Sequence, residues 1–361
     1  MNNKTRLLLS IVLCYLLVGC MPNQSVEENA IIEIAGYDRG EEEKIEGTVS
    51  IPQYGRDEKK TSASELYLSV RADSVKDVEK EIQKQSSKPI TIGKLAVTLY
   101  SEELAEEDIS DIIDVLSRDP RLSRNMYIGI AEGEAKSLIE GGYTQDETTS
   151  KYLQGLIENN MHFNFPKTSL HDYLYAYYAE GMDGYLPILS RKNDYVELSG
   201  IGFLNNGKLV RKIPDSDVFV FKMMKENFKK GMQDLDFKEG TILMDNIGSH
   251  VEYRLKGTTD QPEFEIDVKM KAVVNEMVGI HQDINEGLAK EMEETFKDYY
   301  QKKANEMIQM FKEEKIDPLG LGHFAKSRRE SFDLKKWEDA YPELPVNVKI
   351  SVDITEYGIF S

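Results

Sequence analysis

Apolar and polar positions along this chain form short blocks whose rhythm switches between two and about 3.6 residues. Residues 30–34 are a compact apolar run that reads as a strand ending at Gly36-Tyr37-Asp38. Residues 47–53 read as a second strand, after the charged turn Glu41-Glu42-Glu43-Lys44. Ser74 can cap a helix that carries Val75, Val78 and Ile82 at helical spacing. Residues 94–100 alternate as a strand. Residues 102–117 predict one helix, with Ile109, Ile112, Ile113 and Leu116 on a single stripe and Asp119-Pro120 as its stop. A strand over 125–131 and a short helix over 134–139 follow.

Residues 149–158 and 170–179 predict helices. The second carries Tyr173, Tyr175, Tyr177 and Tyr178. Such a cluster suits either the stacking of sugars or bases, or packing in a core or between domains. No basic groove accompanies it, which favours packing. Residues 195–212 predict a hairpin, because Asn206-Gly207 tolerates the positive φ of a tight turn. A helix is expected over 215–230. Residues 241–256 and 263–275 alternate, as sheet strands with one wet face do. The longest predicted helix covers 280–314, with Ile284, Leu288, Met292, Phe296, Tyr299, Met307 and Met310 along it. About 30 residues of helix would span roughly 45 Å. Pro318-Leu319-Gly320-Leu321-Gly322 breaks the chain, and a short helix around Trp337 and a strand over 346–355 close it. The irregular alternation predicts an α+β fold of two to three subdomains, with antiparallel or mixed sheets and one long helix in the C-terminal half. It disfavours a doubly wound parallel sheet.

The extreme amino terminus follows another pattern. Lys4 and Arg6 precede an apolar run over 7–18, interrupted only by Ser10. The run is short for a bilayer span, which takes about 20 residues, and fits a secretory signal. It ends in Leu17-Val18-Gly19-Cys20, which resembles the bacterial lipobox. A thiol after a small residue can be diacylated, and cleavage then leaves the lipid-bearing cysteine first. Residues 1–19 are therefore expected to be a lipoprotein signal peptide and Cys20 the lipidation site. The other expected divisions are an N-terminal α+β domain over 20–190, itself divisible near Gly141-Gly142, and a C-terminal α+β domain over 191–361. Cys14 leaves with the signal, so no disulfide can form in the mature chain.

The 361 residues include 45 Lys+Arg and 64 Asp+Glu, a formal charge of −19. Loss of Lys4 and Arg6 would take the charge to −21. A chain this acidic is not expected to bind nucleic acid, since phosphate contacts need a basic face. The balance also argues against electrostatic docking on anionic lipid. Five histidines are present, at 162, 171, 250, 281 and 323, and none belongs to an HExxH pair. No Gly-x-Ser-x-Gly elbow or phosphate loop occurs. Gly200-Ile201-Gly202 lacks the third glycine of a dinucleotide fingerprint and falls inside the hairpin. Glu102-Glu103 and Glu106-Glu107-Asp108 form an acidic patch that could serve acid–base work or calcium. They sit at a helix start, where acids are stabilised anyway. Arg328-Arg329 could hold a carboxylate or an acidic partner. No enzyme, cofactor or metal is expected.

Several blocks together resemble the C-subunit lipoproteins of spore germinant receptors, the Ger(x)C family. They are Cys20 followed by the block from Ala30 to Asp38; Gly93 to Ala105, running on to Leu116-Ser117-Arg118-Asp119-Pro120 and Met126-Tyr127-Ile128; Leu198 to Phe203 with Gly207 to Val210; and Pro318 to Gly322 with Trp337, Tyr341-Pro342 and Gly358. Met21-Pro22 stand where the family often has Trp-Asp. The resemblance implies a lipid-anchored, non-catalytic subunit of a nutrient receptor required for germination. It implies the outer face of the spore inner membrane and two membrane-embedded partner subunits, one of them transporter-like. The family's architecture is α+β, in distinct subdomains. The alternative readings are a substrate-binding lipoprotein of a membrane transporter, which usually shows two parallel-sheet lobes, and a lipid-anchored hydrolase. The tyrosine cluster and the long helix are the two candidate partner surfaces.

Overall fold

A computed structural model describes residues 28–53, 64–143, 147–258, 262–282, 284–328 and 333–357. β1 (Ala30–Ile31) and β2 (Ile34–Arg39) open it. β2 runs through the Gly36-Tyr37-Asp38 block instead of stopping there, and Ile34 to Asp38 are all buried. Gly36 lets helix and strand close up, since a Cβ there would stand 2.6 Å from Ile139 Cδ1. β3 (Ile45–Gln53) and β4 (Ser64–Ala72) return antiparallel. Ser74 caps α1 (Val75–Gln85), which buries Val75, Val78 and Ile82 as the spacing required. β5 (Ile90–Thr91) pairs with β1.

β6 (Val97–Ser101) leads into α2 (Glu102–Glu107) and α3 (Ser110–Arg118). The single helix expected over 102–117 is thus two. At the break, Asp108 Oδ1 accepts the Ser110 N–H at 2.7 Å, and the Ile109 N–H donates to Gly207 O at 3.0 Å. An aspartate that offers its own acceptor competes with the helical ladder. Next come β7 (Tyr127–Ala131), α4 (Ala135–Ile139), α5 (Thr149–His162) and α6 (Leu170–Tyr178). β8 (Gly184–Lys192), β9 (Tyr195–Asn205) and β10 (Lys208–Pro214) form a meander. Its second turn puts Asn206 at φ 48° and Gly207 at φ 87°, as the sequence demanded.

α7 (Asp215–Lys225) connects to the second large sheet. That sheet contains β11 (Met232–Phe237), β12 (Gly240–Gly257) and β13 (Pro262–Val278). α8 (Glu286–Glu313), α9 (Leu321–Arg328) and α10 (Leu334–Ala340) precede its last strand, β14 (Val346–Tyr357). α8 begins six residues later than expected, where the Asn285 side chain accepts the Leu288 N–H at 3.0 Å.

Eight strands make a mixed sheet in the order β10-β9-β8-β7-β6-β2-β3-β4, and four make β11-β12-β13-β14. β2, β6, β7 and β8 are parallel neighbours at the centre of the larger sheet. Helices cover both its faces. Residues from α1, α3 and α6 share one core with Tyr100, Ile128 and Ile130, and residues from α4, α5 and α7 share the other with Ile34, Leu99 and Ala131. The second core continues into the smaller sheet, through Phe264 and Val268 to Ile354. β8 and its neighbour β9 belong to the same sheet, and the larger sheet ends at Pro214. Between the sheets lies α7, with every residue from Val218 to Met224 buried, Lys222 included.

Candidate functional site

The Pro318–Gly322 break and the tyrosine helix meet, and together they build the junction between the sheets. Asp317 is 3% exposed. Its carboxylate accepts the N–H groups of Gly320, Leu321 and Gly322 at 2.9, 3.0 and 2.7 Å. Converging N–H groups of this kind make an anion nest, and here the chain's own carboxylate fills it. The glycine-rich segment is therefore a structural latch rather than a phosphate cradle. The latch closes onto the segment before β8. Asp183 and Asp317 exchange bonds, Asp317 N–H to Asp183 Oδ2 at 2.7 Å and Asp183 N–H to Asp317 O at 3.0 Å. The His323 N–H donates to Gly181 O at 2.8 Å. Two glycines permit this approach. A Cβ on Gly181 (φ 74°) would lie 2.7 Å from the Gly322 carbonyl carbon, and one on Gly322 would lie 2.6 Å from the Trp337 ring.

Lys225 Nζ enters the same junction and donates to Pro318 O at 2.8 Å. Burial pushes Asp183 up to about 7 and Asp317 up to about 6, although backbone donors oppose it in both. Burial pulls Lys225 down to about 8. Trp337 seals the junction, edge-on to Phe264 at 5.5 Å and against Tyr341 at 5.4 Å.

The tyrosines of α6 divide by helix face. Tyr173 is buried and stacks on Tyr177, four residues on. Tyr175 and Tyr178 are 54% and 61% exposed. Tyr175 Oη lies 2.7 Å from His323 Nε2, so the exposed face of α6 continues onto α9. Beneath it a groove of about 290 Å³ is lined by Tyr173, Tyr175, Met182, Tyr185, Lys225 and Glu226. The cluster is thus part core and part surface. The stripe of α8 is mostly core: Leu288, Met292, Phe296 and Met307 are buried, whereas Tyr299 and Met310 are half-buried and their neighbours Tyr300 and Phe311 take the core positions.

A second, polar cleft of about 560 Å³ lies at the carboxyl ends of β2, β6 and β7. The acidic patch borders it, and Glu102, Glu103 and Glu107 are paired. Arg39 bridges to Glu107 and lies 3.7 Å from Glu103, and Lys212 pairs with Glu102. Asp38 accepts the N–H groups of Ala135 and Lys136 at 2.7 and 3.0 Å, which starts α4. Among the described residues no three His, Cys, Asp or Glu side chains could hold a metal together. His162, His171, His250 and His281 are exposed and apart. Arg328 lies over the Phe324 ring at 5.2 Å, while Arg329 and Cys20 lie outside the described residues. Among the described residues no helix is long and apolar enough to cross a membrane. Sequence reasoning found the glycine break but missed Asp317, Asp183 and Lys225, because nothing local marks a carboxylate as a nest's own anion.

Residues 23–191 match the family model described as spore germination protein N-terminal domain. Residues 199–358 match the model described as spore germination B3/GerAC like, C-terminal. The chain belongs to the Ger(x)C family. Spore germination protein GerQC of Bacillus cereus is 28% identical over 359 residues, 98% of this chain and 99% of that one. Spore germination protein A3 of Bacillus subtilis (strain 168) is 24% identical over 161 residues, 44% of this chain and 43% of that protein. The crystal structure of the GerBC protein superposes with a TM-score of 0.60 at 17% identity, covering 89% of this chain and 96% of that one. The Ger(x)C chain therefore has the GerBC fold, and its family gives it a role in spore germination.

Proposed function

We propose that this Ger(x)C chain is the lipid-anchored, non-catalytic subunit of a nutrient germinant receptor. One observation carries the reading: both Ger(x)C domains follow, in order and on one chain, the lipobox Leu17-Val18-Gly19-Cys20. A diacylated Cys20 would hold the protein on the outer face of the spore inner membrane, since two acyl chains anchor firmly where one does not. Its partners in this reading are two membrane-embedded subunits, one transporter-like. Tyr175, Tyr178 and His323 offer them rigid aromatic area with polar tips, the chemistry that anchors interfaces.

The test is affinity purification from gently solubilised spore membranes, followed by mass spectrometry. Near-stoichiometric recovery of a transporter-like polytopic protein and a second membrane subunit is the expected result. Recovery of the chain alone refutes the reading. Cys20→Ala should release the protein from the membrane fraction and reduce nutrient-triggered germination.

A further inference from the structure

We infer that the end of the molecule carrying Phe163, Met232 and Ile247 lies against an anionic bilayer surface. The inference rests on the lipid anchor at Cys20. These three side chains are 47%, 44% and 46% exposed, and the backbone brings them together. Asn164, beside Phe163, clasps Met232. Its Nδ2 donates to Met232 O, and the Met232 N–H donates back to Oδ1, both at 2.9 Å. Ile247 is the extra residue of a bulge in β12. Two contacts bracket it: Asn246 N–H to Gly231 O at 2.8 Å, and the exchange between Ser249 and Phe228 at 2.7 and 3.1 Å. The bracket sets Ile247 across from Lys229 and Lys230, both exposed. Lys167, also exposed, lies four residues beyond Phe163. Of the neighbouring acids, Glu226 is engaged by the Lys167 N–H at 3.3 Å and by Lys222 Nζ at 3.8 Å, and Asp245, opposite Met232, accepts from Asn275 Nδ2 at 2.6 Å, which leaves Asp234 as the exposed acid beside Met232.

Two facts choose a lipid surface as the occupant. The first is where the anchor would reach. The described chain joins the fold at the amino ends of β1, β2 and β6, where the Ala30 N–H donates to Pro89 O and the Ala96 N–H to Glu33 O. The segment after Phe163 lies at the same end of the parallel strands. Thr168 Oγ1 donates to Tyr185 O at 3.4 Å, near the start of β8, and the Leu170 N–H donates to Met126 O at 2.8 Å, beside β7. Three strand spacings separate β2 from β8, roughly 15 Å. The eight residues from Cys20 to Glu28 span at most about 28 Å. A lipid on Cys20 therefore keeps this end close to the headgroups. The second fact is chemistry. A chain of net charge −19 is repelled by an anionic leaflet, yet this end interleaves apolar tips with lysines, the composition that partitions to a lipid interface.

The experiment uses the full lipidated protein on phosphatidylcholine–phosphatidylglycerol vesicles whose acyl chains are brominated, with tryptophan emission as the readout. Trp337, 7% exposed, is a constant background. Ile247→Trp places a reporter on the face. Tyr195→Trp is the control, because Tyr195 is 53% exposed at the hairpin on the opposite end of β8. On floated vesicles the Ile247→Trp reporter should be quenched, as a side chain seated at the headgroup–acyl boundary would be, while the Tyr195→Trp reporter keeps its emission. Lys229→Glu with Lys230→Glu should weaken that quenching on anionic vesicles and leave it unchanged on neutral ones. Equal quenching at both positions, or none at 247 on vesicles that carry the protein, overturns the inference alone. Failure of the lipidated chain to float overturns the anchor and this face together.

Discussion

At the residue scale, the junction depends on atoms that leave no room for change. Gly322 faces the Trp337 ring on one side and the Gly181 backbone on the other. Gly322→Ala should overpack that contact and cost about 1–3 kcal/mol, read as a lower urea midpoint at unchanged slope. Asp183 gives the junction a pH dependence. Its folded pKa of about 7 stands above the ordinary carboxyl value, so folding favours the protonated form. That contribution is fully present below about 4 and is lost as pH rises through about 7. Asp317 adds the same sign up to about 6, while Lys225, pulled down to about 8, changes charge above this window. Stability should therefore fall from pH 5 to pH 7.5, by up to about 2–3 kcal/mol from Asp183. Asp183→Asn, which keeps an acceptor for the Asp317 N–H, should flatten that fall in urea titrations at the two pH values. The glycines, Pro318 and Trp337 were legible in the sequence as a break and a landmark. The buried charges were not, because their burial comes from two distant segments meeting.

At the scale of elements, α8 shows how a pattern is read correctly and still misplaced at its end. Its buried stripe follows the spacing of Leu288, Met292 and Phe296. Its start is set by the Asn285 cap rather than by Ile280 or Ile284. Asn285→Ala should cost about 1 kcal/mol and fray the first turn, visible as faster amide exchange at Leu288. Phe296→Ala, fully buried, should cost about 3–5 kcal/mol in the same titration. The missed elements have physical reasons. β8 is interrupted by Pro187, and β11 mixes Asp234 and Asp236 with its apolar positions. β4 alternates, but as an edge strand it keeps Leu66 41% exposed and follows a polar stretch. The break between α2 and α3 was hidden because its stripe continues across Ile109, which is itself buried.

At the scale of the whole molecule, the mixed α+β class was legible from irregular alternation, whereas the sharing of one sheet and one core along the chain was not. One sheet gathers strands from Ile34 to Pro214, and α7 is sandwiched between it and the next. A shared core couples the halves. Urea unfolding followed by Trp337 emission and by far-ultraviolet dichroism should give coincident transitions, and separated midpoints would disprove the coupling. The place of β2 has a mechanical side. It lies between β3 and β6, hydrogen-bonded on both flanks, and it is the first long strand after the amino-terminal segment. A pull transmitted along a tether would load both ladders in shear, all bonds together, instead of peeling them one at a time. A protein moored by its first residues would thus take the strain of a moving membrane on a seam held from both sides.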